Sequence, residues 1–435
     1  MAILLGDKNL TVIEEVCLTE SQTYTARRTG IADVICIGAG GCGGSSGVGN
    51  ALPVVCNITG GGAGGYSRKR IPITAGDTFT VVVGAGGEDA TRMPGASNYE
   101  NGTAGGESTF DHATATATIA LDSNGGAGGI GNATSTASGA TYAGGAGGTA
   151  SGGDVNFTGG RGGTITRSNN ASNMGNFATG GGAVAVFGQA FNGGDINFTQ
   201  NGTTQTIAAT GGAGVGGDGG NVAYGTSTTN GQCATSGGSA SGEGNGFTAA
   251  QTAATSSGIS ALAKVDAAPV GGSRLPSHGG YGICGNSSTI VLAGNGGTGA
   301  TKSDSSGFNQ AQYLTIYGGN DRVPFDVDSA AMESFTGYPQ ATGWGGGGGA
   351  AAGPGDDNAS NIRIAAGNGA AFAGGGGVAC TCDSELSSTN GKVSSSGRGG
   401  FGAGSGGCHL GTNVSNSTVE WSAGGDGLII IQYLG

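Results

Sequence analysis

The chain has 435 residues, of which 102 are Gly, and only 10% of its residues are charged. Disordered chains usually combine high charge with few β-branched residues, whereas several segments here are strongly β-patterned. The net charge of −12 and the lack of long basic runs argue against nucleic-acid binding. No stretch approaches the roughly 18 apolar residues of a membrane-spanning helix, and the first residues lack a signal peptide's basic region. We therefore expect no membrane span and no general secretion.

The glycine content itself predicts an unusual backbone. Gly loses more conformational entropy on ordering than any other residue, so its backbone must be held by many hydrogen bonds. Left-handed polyglycine helices have no internal hydrogen bonds, and the missing Cβ lets them approach one another closely. A strict Gly-X-Y repeat is absent, which excludes collagen. We expect glycine-rich segments of the polyglycine-II type, stacked side by side.

Residues 1–20 form the amphipathic, charge-bearing start of the chain, with Leu10, Val12 and Val16 beside Glu14 and Glu15. This pattern predicts an arm or short strand that attaches the protein to a neighbour, with a short helix as the alternative.

Three later segments predict strands. The near-continuous apolar run at 31–37 is typical of a strand covered on both faces. Residues 66–83 alternate on both sides of the turn Ala75-Gly76-Asp77, which predicts a β-hairpin. The apolar segment 428–434 predicts a central strand, and we expect it to pair in one sheet system with 31–37.

The middle of the chain is of low complexity. Residues 152–158 are echoed at 193–199, which indicates an internal duplication. The segment 308–344 differs, because it is poor in Gly and rich in aromatic residues. It is either local core packing or an exposed binding tip, since aromatic residues are favoured at binding hot spots. The candidate receptor-binding residues are Tyr313, Tyr317, Phe325, Phe335, Tyr338 and Trp344.

Two glycine motifs resemble catalytic signatures. Gly38-x-Gly40-x-x-Gly43 follows a strand as a dinucleotide fingerprint does, but poor helix-forming residues follow it, and no acidic residue appears before Asp77. Residues 43–47 match the nucleophile-elbow pattern, yet a chain this rich in Gly and Ser gives about two such matches by chance. We assign no catalytic or cofactor-binding residue and expect no enzyme.

The nine cysteines are scattered and odd in number, which argues for reduced thiols rather than a disulfide framework. Cys380, Cys382, Cys408 and His409 are soft ligands that could hold zinc, but the Cys-x-Cys spacing is tighter than usual. We favour isolated thiols and predict no metal site.

Both ends of the chain resemble a known family. Residues 34–41, VICIGAGG, resemble the opening strand and first Gly run of the glycine-rich domain of bacteriophage tail-fibre and receptor-binding (adhesin) proteins. Residues 60–87, GGGAGGYSRKRIPITAGDTFTVVVGAGG, resemble the next hairpin of that domain. Residues 424–433, GGDGLIIIQY, resemble its closing strand. The resemblance covers about 21–87 and 397–435. Where the family often has Pro, this chain has Ala75.

The resemblance implies an all-β fold, with a jelly-roll-like β-sandwich frame. We expect an attachment arm (1–20) and one glycine-rich β domain (21–435), in which frame segments 21–125 and 397–435 enclose the insertion 126–396. The resemblance also implies a virion location after assembly in the host cytoplasm, and a homo-oligomer, with a trimer favoured.

The expected partners are other virion proteins, bound through residues 1–20, and a host-surface polysaccharide or outer-membrane protein. The alternatives are a capsid-surface decoration protein, a bacterial extracellular surface binding protein and, as an enzyme, a polysaccharide depolymerase.

Overall fold

The computed structural model describes β-strands joined by extended segments, and the described part of the chain contains no helix, which confirms the all-β prediction. The aromatic segment 308–344 lies outside the described residues. Strands are numbered in chain order, and β1 (Ile3–Leu4) pairs antiparallel with β2 (Asn9–Leu10). The described residues are 3–4, 9–47, 55–88, 98–113, 118–134, 139–167, 175–186, 188, 190–198, 206–224, 231–235, 237–238, 260–261, 283–284, 290–292, 302–304, 345–355, 363–370, 372–377, 379–383, 393–410, 418–420 and 423–435.

Two five-stranded antiparallel sheets form what we call the frame. Frame sheet A has the order β16 (Val155–Phe157), β8 (Tyr66–Ile73), β5 (Gly30–Ile37), β33 (Leu428–Leu434) and β3 (Val12–Leu18). Frame sheet B has the order β15 (Ala150–Ser151), β12 (Thr118–Ser123), β11 (Ser108–Ala113), β9 (Thr78–Val82) and β4 (Gln22–Thr25).

The expected pairing of the two chain ends is confirmed in frame sheet A. β5 and β33 are neighbours along their whole length, from Ile31 opposite Leu434 to Ile37 opposite Leu428. The segment 12–18 extends the same sheet as β3, on the other side of β33. The role of residues 1–20 in attachment stays a prediction, as do the domain boundaries.

The inward faces of the two frame sheets share one apolar core. Val34 and Ile431 from sheet A and Phe79 and Phe110 from sheet B are almost fully buried in it. At one side of this core, the hydroxyl groups of Tyr24 and Tyr433 lie 2.7 Å apart and link the sheets. This arrangement is sandwich-like, whereas the jelly-roll connectivity stays a prediction.

The hairpin prediction for 66–83 is wrong. Both segments are strands, but β8 lies in sheet A and β9 in sheet B, so the turn at Gly76 crosses between the sheets. The alternation of apolar and polar residues predicted two strands with buried apolar side chains. It does not specify whether two successive strands pair in one sheet or lie in two sheets that face each other across a core.

Frame strands continue directly into extended glycine-rich segments, which we call runs. β5 leads into run 38–44, and run 59–65 leads into β8. Together the runs form the glycine bundle. The runs in the described residues are 38–44, 59–65, 84–87, 102–106, 124–130, 143–149, 158–164, 179–185, 191–194, 210–214, 217–221, 237–238, 345–350, 366–370, 373–377, 396–400, 402–407 and 423–427.

Run 59–65 shows how the bundle is held together. Its backbone groups bond to other runs, as in the 2.9 Å bonds from Gly62 N to Ala127 O and from Gly61 N to Ser405 O. The neighbouring runs to which it is hydrogen-bonded are 38–44, 124–130, 143–149, 158–164, 179–185 and 402–407. Backbone bonding in every lateral direction is what polyglycine-type helices require.

The glycines follow the helical repeat of these runs. Gly38, Gly41 and Gly44, every third residue of run 38–44, all face run 124–130, where an added Cβ would overlap backbone atoms. A polyglycine-type helix has about three residues per turn, so this spacing places the three glycines on one face. Gly is needed there because one backbone lies directly against another.

Beyond the bundle, the runs end in short strands that form four distal sheets. Distal sheet C has the order β13 (Gly131–Thr134), β7 (Val55–Ile58), β18 (Gly175–Ala178), β20 (Thr206–Ala209) and β22 (Gly231–Ala234). Distal sheet D has the order β14 (Ala140–Tyr142), β17 (Ile165–Arg167), β19 (Ile196–Phe198) and β21 (Val222–Tyr224).

Distal sheet E has the order β10 (Asn98–Glu100), β6 (Ser45–Gly47), β31 (Cys408–Leu410), β29 (Ala379–Asp383), β27 (Ala351–Gly355), β24 (Ile283–Cys284) and β23 (Ser260–Ala261). Distal sheet F has the order β26 (Lys302–Asp304), β25 (Ile290–Leu292), β28 (Arg363–Ala365), β30 (Val393–Ser395) and β32 (Thr418–Glu420). Most neighbours within each distal sheet are parallel.

The sequence echo between 152–158 and 193–199 is not a structural repeat. Val155–Phe157 is an edge strand of frame sheet A, whereas Ile196–Phe198 lies in distal sheet D. The same short sequence pattern therefore forms a frame strand at one end of the bundle and a distal strand at the other.

One buried carboxylate lies on the outer face of frame sheet A. Asp33 is 1% exposed and forms ion pairs with Arg68 and Arg70 on the adjacent strand, the Arg70 Nε–Oδ1 distance being 2.8 Å. Burial alone would raise the pKa of Asp33, but the hydrogen bonds and charges of Arg70 and Arg68 outweigh it and hold this pKa below its ordinary value.

We expect Gly41→Ala to lower the free energy of unfolding by about 3 kcal/mol, because overpacking against fixed backbone is poorly relieved. The added Cβ would lie closer to the Ala127 carbonyl than the 3.0 Å below which real Cβ contacts do not occur. Gly106→Ala is the matched control, since its nearest neighbour, Ala85 N, is 3.0 Å away. Urea unfolding measures both variants, and equal losses would contradict close backbone packing at Gly41.

We expect Asp33→Asn to cost about 2–3 kcal/mol at pH 7, less than a fully buried pair because both arginines are partly exposed. The folded-state pKa of Asp33 lies below its unfolded value of about 3.9, so its contribution is present above that pH and is lost as pH falls through the folded pKa. The stability difference from wild type should therefore shrink below about pH 4 in urea unfolding. A difference that stays constant to pH 3 would refute this linkage.

Candidate functional site: the distal end of the glycine bundle

The distal sheets lie at the end of the bundle opposite the frame. Run 38–44 carries the chain from β5 in the frame to β6 in distal sheet E, and run 59–65 returns it from β7 to β8. At about 3.1 Å per residue, seven residues separate the two ends by roughly 20 Å. This traverse repeats along the chain, so strands far apart in sequence meet at one distal end.

A row of buried threonines fixes the distal strands to the bundle. Thr179, directly after β18, donates its hydroxyl to Gly163 O at 2.7 Å and accepts from Gly60 N at 3.1 Å. Thr210 repeats this bridge between Gly194 O and Gly180 N. Each hydroxyl thus satisfies two backbone groups of neighbouring runs where the strand ladder ends. Thr59 and Thr235 form equivalent bridges.

Acidic and amide side chains make a second row of bridges near distal sheet D. Asp195 accepts from Thr164 N at 2.7 Å and forms a bidentate ion pair with Arg161, at 2.8 and 2.7 Å. The hydrogen bonds that Arg161 donates to the Asp195 carboxylate are the main reason why the pKa of Arg161 is raised. Asn192 and Asp218 continue the row, at 3.0 Å from Arg161 N and 2.6 Å from Asn192 N. The side chains in this row therefore hydrogen-bond to one another and to the backbone of neighbouring runs.

Distal sheets C and D pack against each other through a small core. Phe177 from sheet C and Phe198 from sheet D have ring centroids 5.0 Å apart, and Ile165 and Ile196 are fully buried beside them. Arg167, the last residue of β17, is only 4% exposed and places its Cζ 5.2 Å from the centre of the Phe177 ring. Burial lowers the pKa of Arg167, and the nearby Tyr142 opposes this shift.

The sequence-predicted receptor-binding residues, from Tyr313 to Trp344, all lie outside the described residues, so their role stays a prediction. The glycine motif at 38–43 forms part of a bundle run and is not followed by a helix. In the nucleophile-elbow pattern of residues 43–47, the serine at the nucleophile position is Ser45, which is buried in β6.

The four residues that the sequence analysis weighed as zinc ligands are only partly described. Cys380 and Cys408 are buried in the adjacent strands β29 and β31, where Cys408 is opposite Ala379 rather than Cys380. Since neighbouring residues in a strand point to opposite faces, these two thiols project to opposite sides of distal sheet E. They are not placed to share one ion. The side chains of Cys382 and His409 lie outside the described part of the structure.

The threonine row was missed in the sequence, although it leaves a signal. Thr59, Thr179 and Thr210 each follow a short β-patterned segment and directly precede two glycines. Thr235 lies in nearly the same context. In a chain rich in Gly and Thr, this recurrence is hard to separate from composition. Arg167 leaves no local signal, because two separate sheets create its burial.

We expect Thr179→Val to lower the free energy of unfolding by about 1–3 kcal/mol, because it leaves Gly60 N and Gly163 O buried without their partner. Valine keeps the shape of the side chain and removes only the hydroxyl. Thr166→Val is the matched control, since Thr166 is an exposed residue in the middle of β17. Thermal and urea unfolding compare the two, and an equal effect of both changes would refute the bridging role.

Comparison of the sequence with known proteins identifies a family. The family model described as glycine-rich domain matches residues 17–263, which is more than half of the chain and includes most frame strands, much of the bundle and distal sheet D. No curated protein matches. The closing strand at 428–434 lies beyond the matched range. In the described residues, no helix is long and apolar enough to span a bilayer. The chain belongs to the family of proteins with a glycine-rich domain.

Proposed function

We propose that this protein is a structural component of a bacteriophage particle, of the tail-fibre or spike type, and that its distal end binds a receptor on the host surface. The observation that carries the proposal is the separation of the two ends of the bundle. The frame holds strands from both chain ends, β3 and β33, whereas the distal end gathers strands from the whole interior of the chain. One end therefore serves attachment and the other serves recognition.

The bundle suits such a role because its shape is fixed. Binding segments are commonly carried by rigid scaffolds, which hold them in position without contributing contacts themselves. Here the backbone of each central run is bonded to runs around it, and the threonine row extends this rigidity to the distal strands. Ordering at the distal end is thus achieved before any ligand arrives, which lowers the entropic cost of binding.

The chemistry of the connecting segments favours a carbohydrate receptor over a protein. Segments 168–174, 199–205 and 225–230 join distal strands and consist almost entirely of Ser, Thr, Asn, Gln and Gly. Their hydroxyl and amide groups donate and accept hydrogen bonds, as sugar hydroxyls require. We propose a host-surface polysaccharide as the receptor, a homotrimer as the assembly state and residues 1–20 as the contact with other virion proteins.

Purified particles test this proposal in two steps. Mass spectrometry should find the chain in the particle, and antibodies against the frame should label a fibre or spike in electron micrographs. Presence on bacterial cells but not in particles would support an extracellular surface protein instead.

The second step uses particles that carry the chain without residues 308–344. We expect these particles to assemble and to lose adsorption to host cells. The matched comparison is a deletion of residues 1–11, which should remove the chain from the particle instead. Normal adsorption by the first particle would refute the aromatic segment as the binding tip.

A further inference from the structure

Arg167 is a buried cation for which the described residues provide no counter-ion. It is 4% exposed, and its Nε and Nη2 atoms have no hydrogen-bond partner. Its guanidinium group lies over the Phe177 ring, and Tyr142 lies near enough to oppose the lowering of its pKa. Burial of an unpaired charge is unfavourable, and stacking of the guanidinium on an aromatic ring recovers only part of that free energy. Arg161 differs in this respect, because its guanidinium group is paired with the Asp195 carboxylate.

Two asparagines with unpaired amide atoms lie in one row with the Phe177 ring. Asn57 is fully buried, with neither Oδ1 nor Nδ2 hydrogen-bonded, and Oδ1 of Asn132 is also unpartnered. In distal sheet C, Asn132 is opposite Asn57, and Asn57 is opposite Phe177. Residues opposite each other on adjacent strands share a face and lie about 5 Å apart. The two amides therefore form a row with the ring that Arg167 covers.

These unpaired groups specify a type of ligand. The Nε–H and Nη2–H groups of a guanidinium form one edge that takes a carboxylate through two parallel hydrogen bonds. The Oδ1 atoms of Asn57 and Asn132 accept hydrogen bonds and therefore suit hydroxyl groups, while Asn57 Nδ2 supplies a further donor. A molecule with a carboxylate next to hydroxyl groups would match all of them.

Arg167 and Asn57 both lie near the distal ends of their strands. Arg167 is the last residue of β17, and Asn57 is the third residue of β7, which begins at Val55. At about 3.3 Å per strand residue, both lie within roughly 10 Å of the strand ends.

We propose that Arg167, Asn57 and Asn132 form a binding site for an acidic sugar, with the carboxylate on Arg167 and the sugar hydroxyls on the two asparagines. The site deepens the proposed function by naming the receptor chemistry, and it rests on that function only for the source of the sugar. Its test uses the full chain alone, so its failure is distinct from failure of the particle experiments.

The experiment measures binding of glucuronate by calorimetry and by the rise in Tm, with glucose as the neutral counterpart. Phosphate and sulfate at the same ionic strength distinguish a free inorganic anion from a sugar acid. We expect a saturable response to glucuronate and a much weaker one to glucose, phosphate and sulfate. Arg167→Met should weaken glucuronate binding about tenfold or more, because it removes a charge-assisted pair of hydrogen bonds.

Two further variants keep the test decisive. Arg161→Gln removes a positive charge six residues away whose partner is Asp195, and it should retain glucuronate binding. Arg167→Lys keeps the charge but loses the two-pronged edge, so it should fold and bind about tenfold more weakly even if Arg167→Met does not fold.

Arg167→Met should also raise the Tm in buffer without ligand, since it removes an unpaired buried charge. Three results would overturn the site: no response of wild type to glucuronate, an equal response to phosphate or sulfate, or unchanged binding by Arg167→Lys.

Discussion

The structure depends on backbone lying directly against backbone. In most proteins side chains separate the main chains of neighbouring layers, and apolar contacts between them supply most of the stability. In the glycine bundle, an added Cβ at Gly41 or Gly61 would overlap a neighbouring carbonyl group. Cohesion there comes from hydrogen bonds between runs, each of modest net value, and from close contacts along every run. The entropic cost of ordering so many glycines is offset by the hydrogen bonds that the backbone of each run makes to neighbouring runs.

The frame and the distal strands set the register of the runs, which the glycines of the bundle do not. Polyglycine-type runs carry little information about their own register, because one glycine is the same as the next. The apolar core around Phe79 and Phe110 fixes the frame strands, and the runs inherit their starting positions from them. At the other end, the buried hydroxyls of Thr179 and Thr210 fix where a run stops and a strand begins. Side chains are concentrated where register must be set.

The sequence predicted the frame better than the distal end. The apolar segments at 31–37 and 428–434 predicted two central strands of one sheet, because only strands covered on both faces are so continuously apolar. Alternation around Gly76 predicted strands but not their sheets, since the inward face is a local property and the pairing partner is not. Arg167 is buried because distal sheets C and D pack against each other. Each of these sheets combines strands from several parts of the chain, so no local sequence pattern predicts this burial. Side-chain chemistry at the distal end thus follows from topology rather than from neighbouring residues.

The position of β33 has a consequence for synthesis of the protein. This strand lies between β5 and β3, yet most of the described strands separate it from them in the sequence. Until β33 has been synthesised, the place between β5 and β3 in frame sheet A is vacant, and one edge of each of these two strands is unpaired. Contacts of such long sequence separation form slowly, and open edges invite association with other chains. A polypeptide that lacks β33 would therefore leave frame sheet A incomplete, so this sheet closes late in folding.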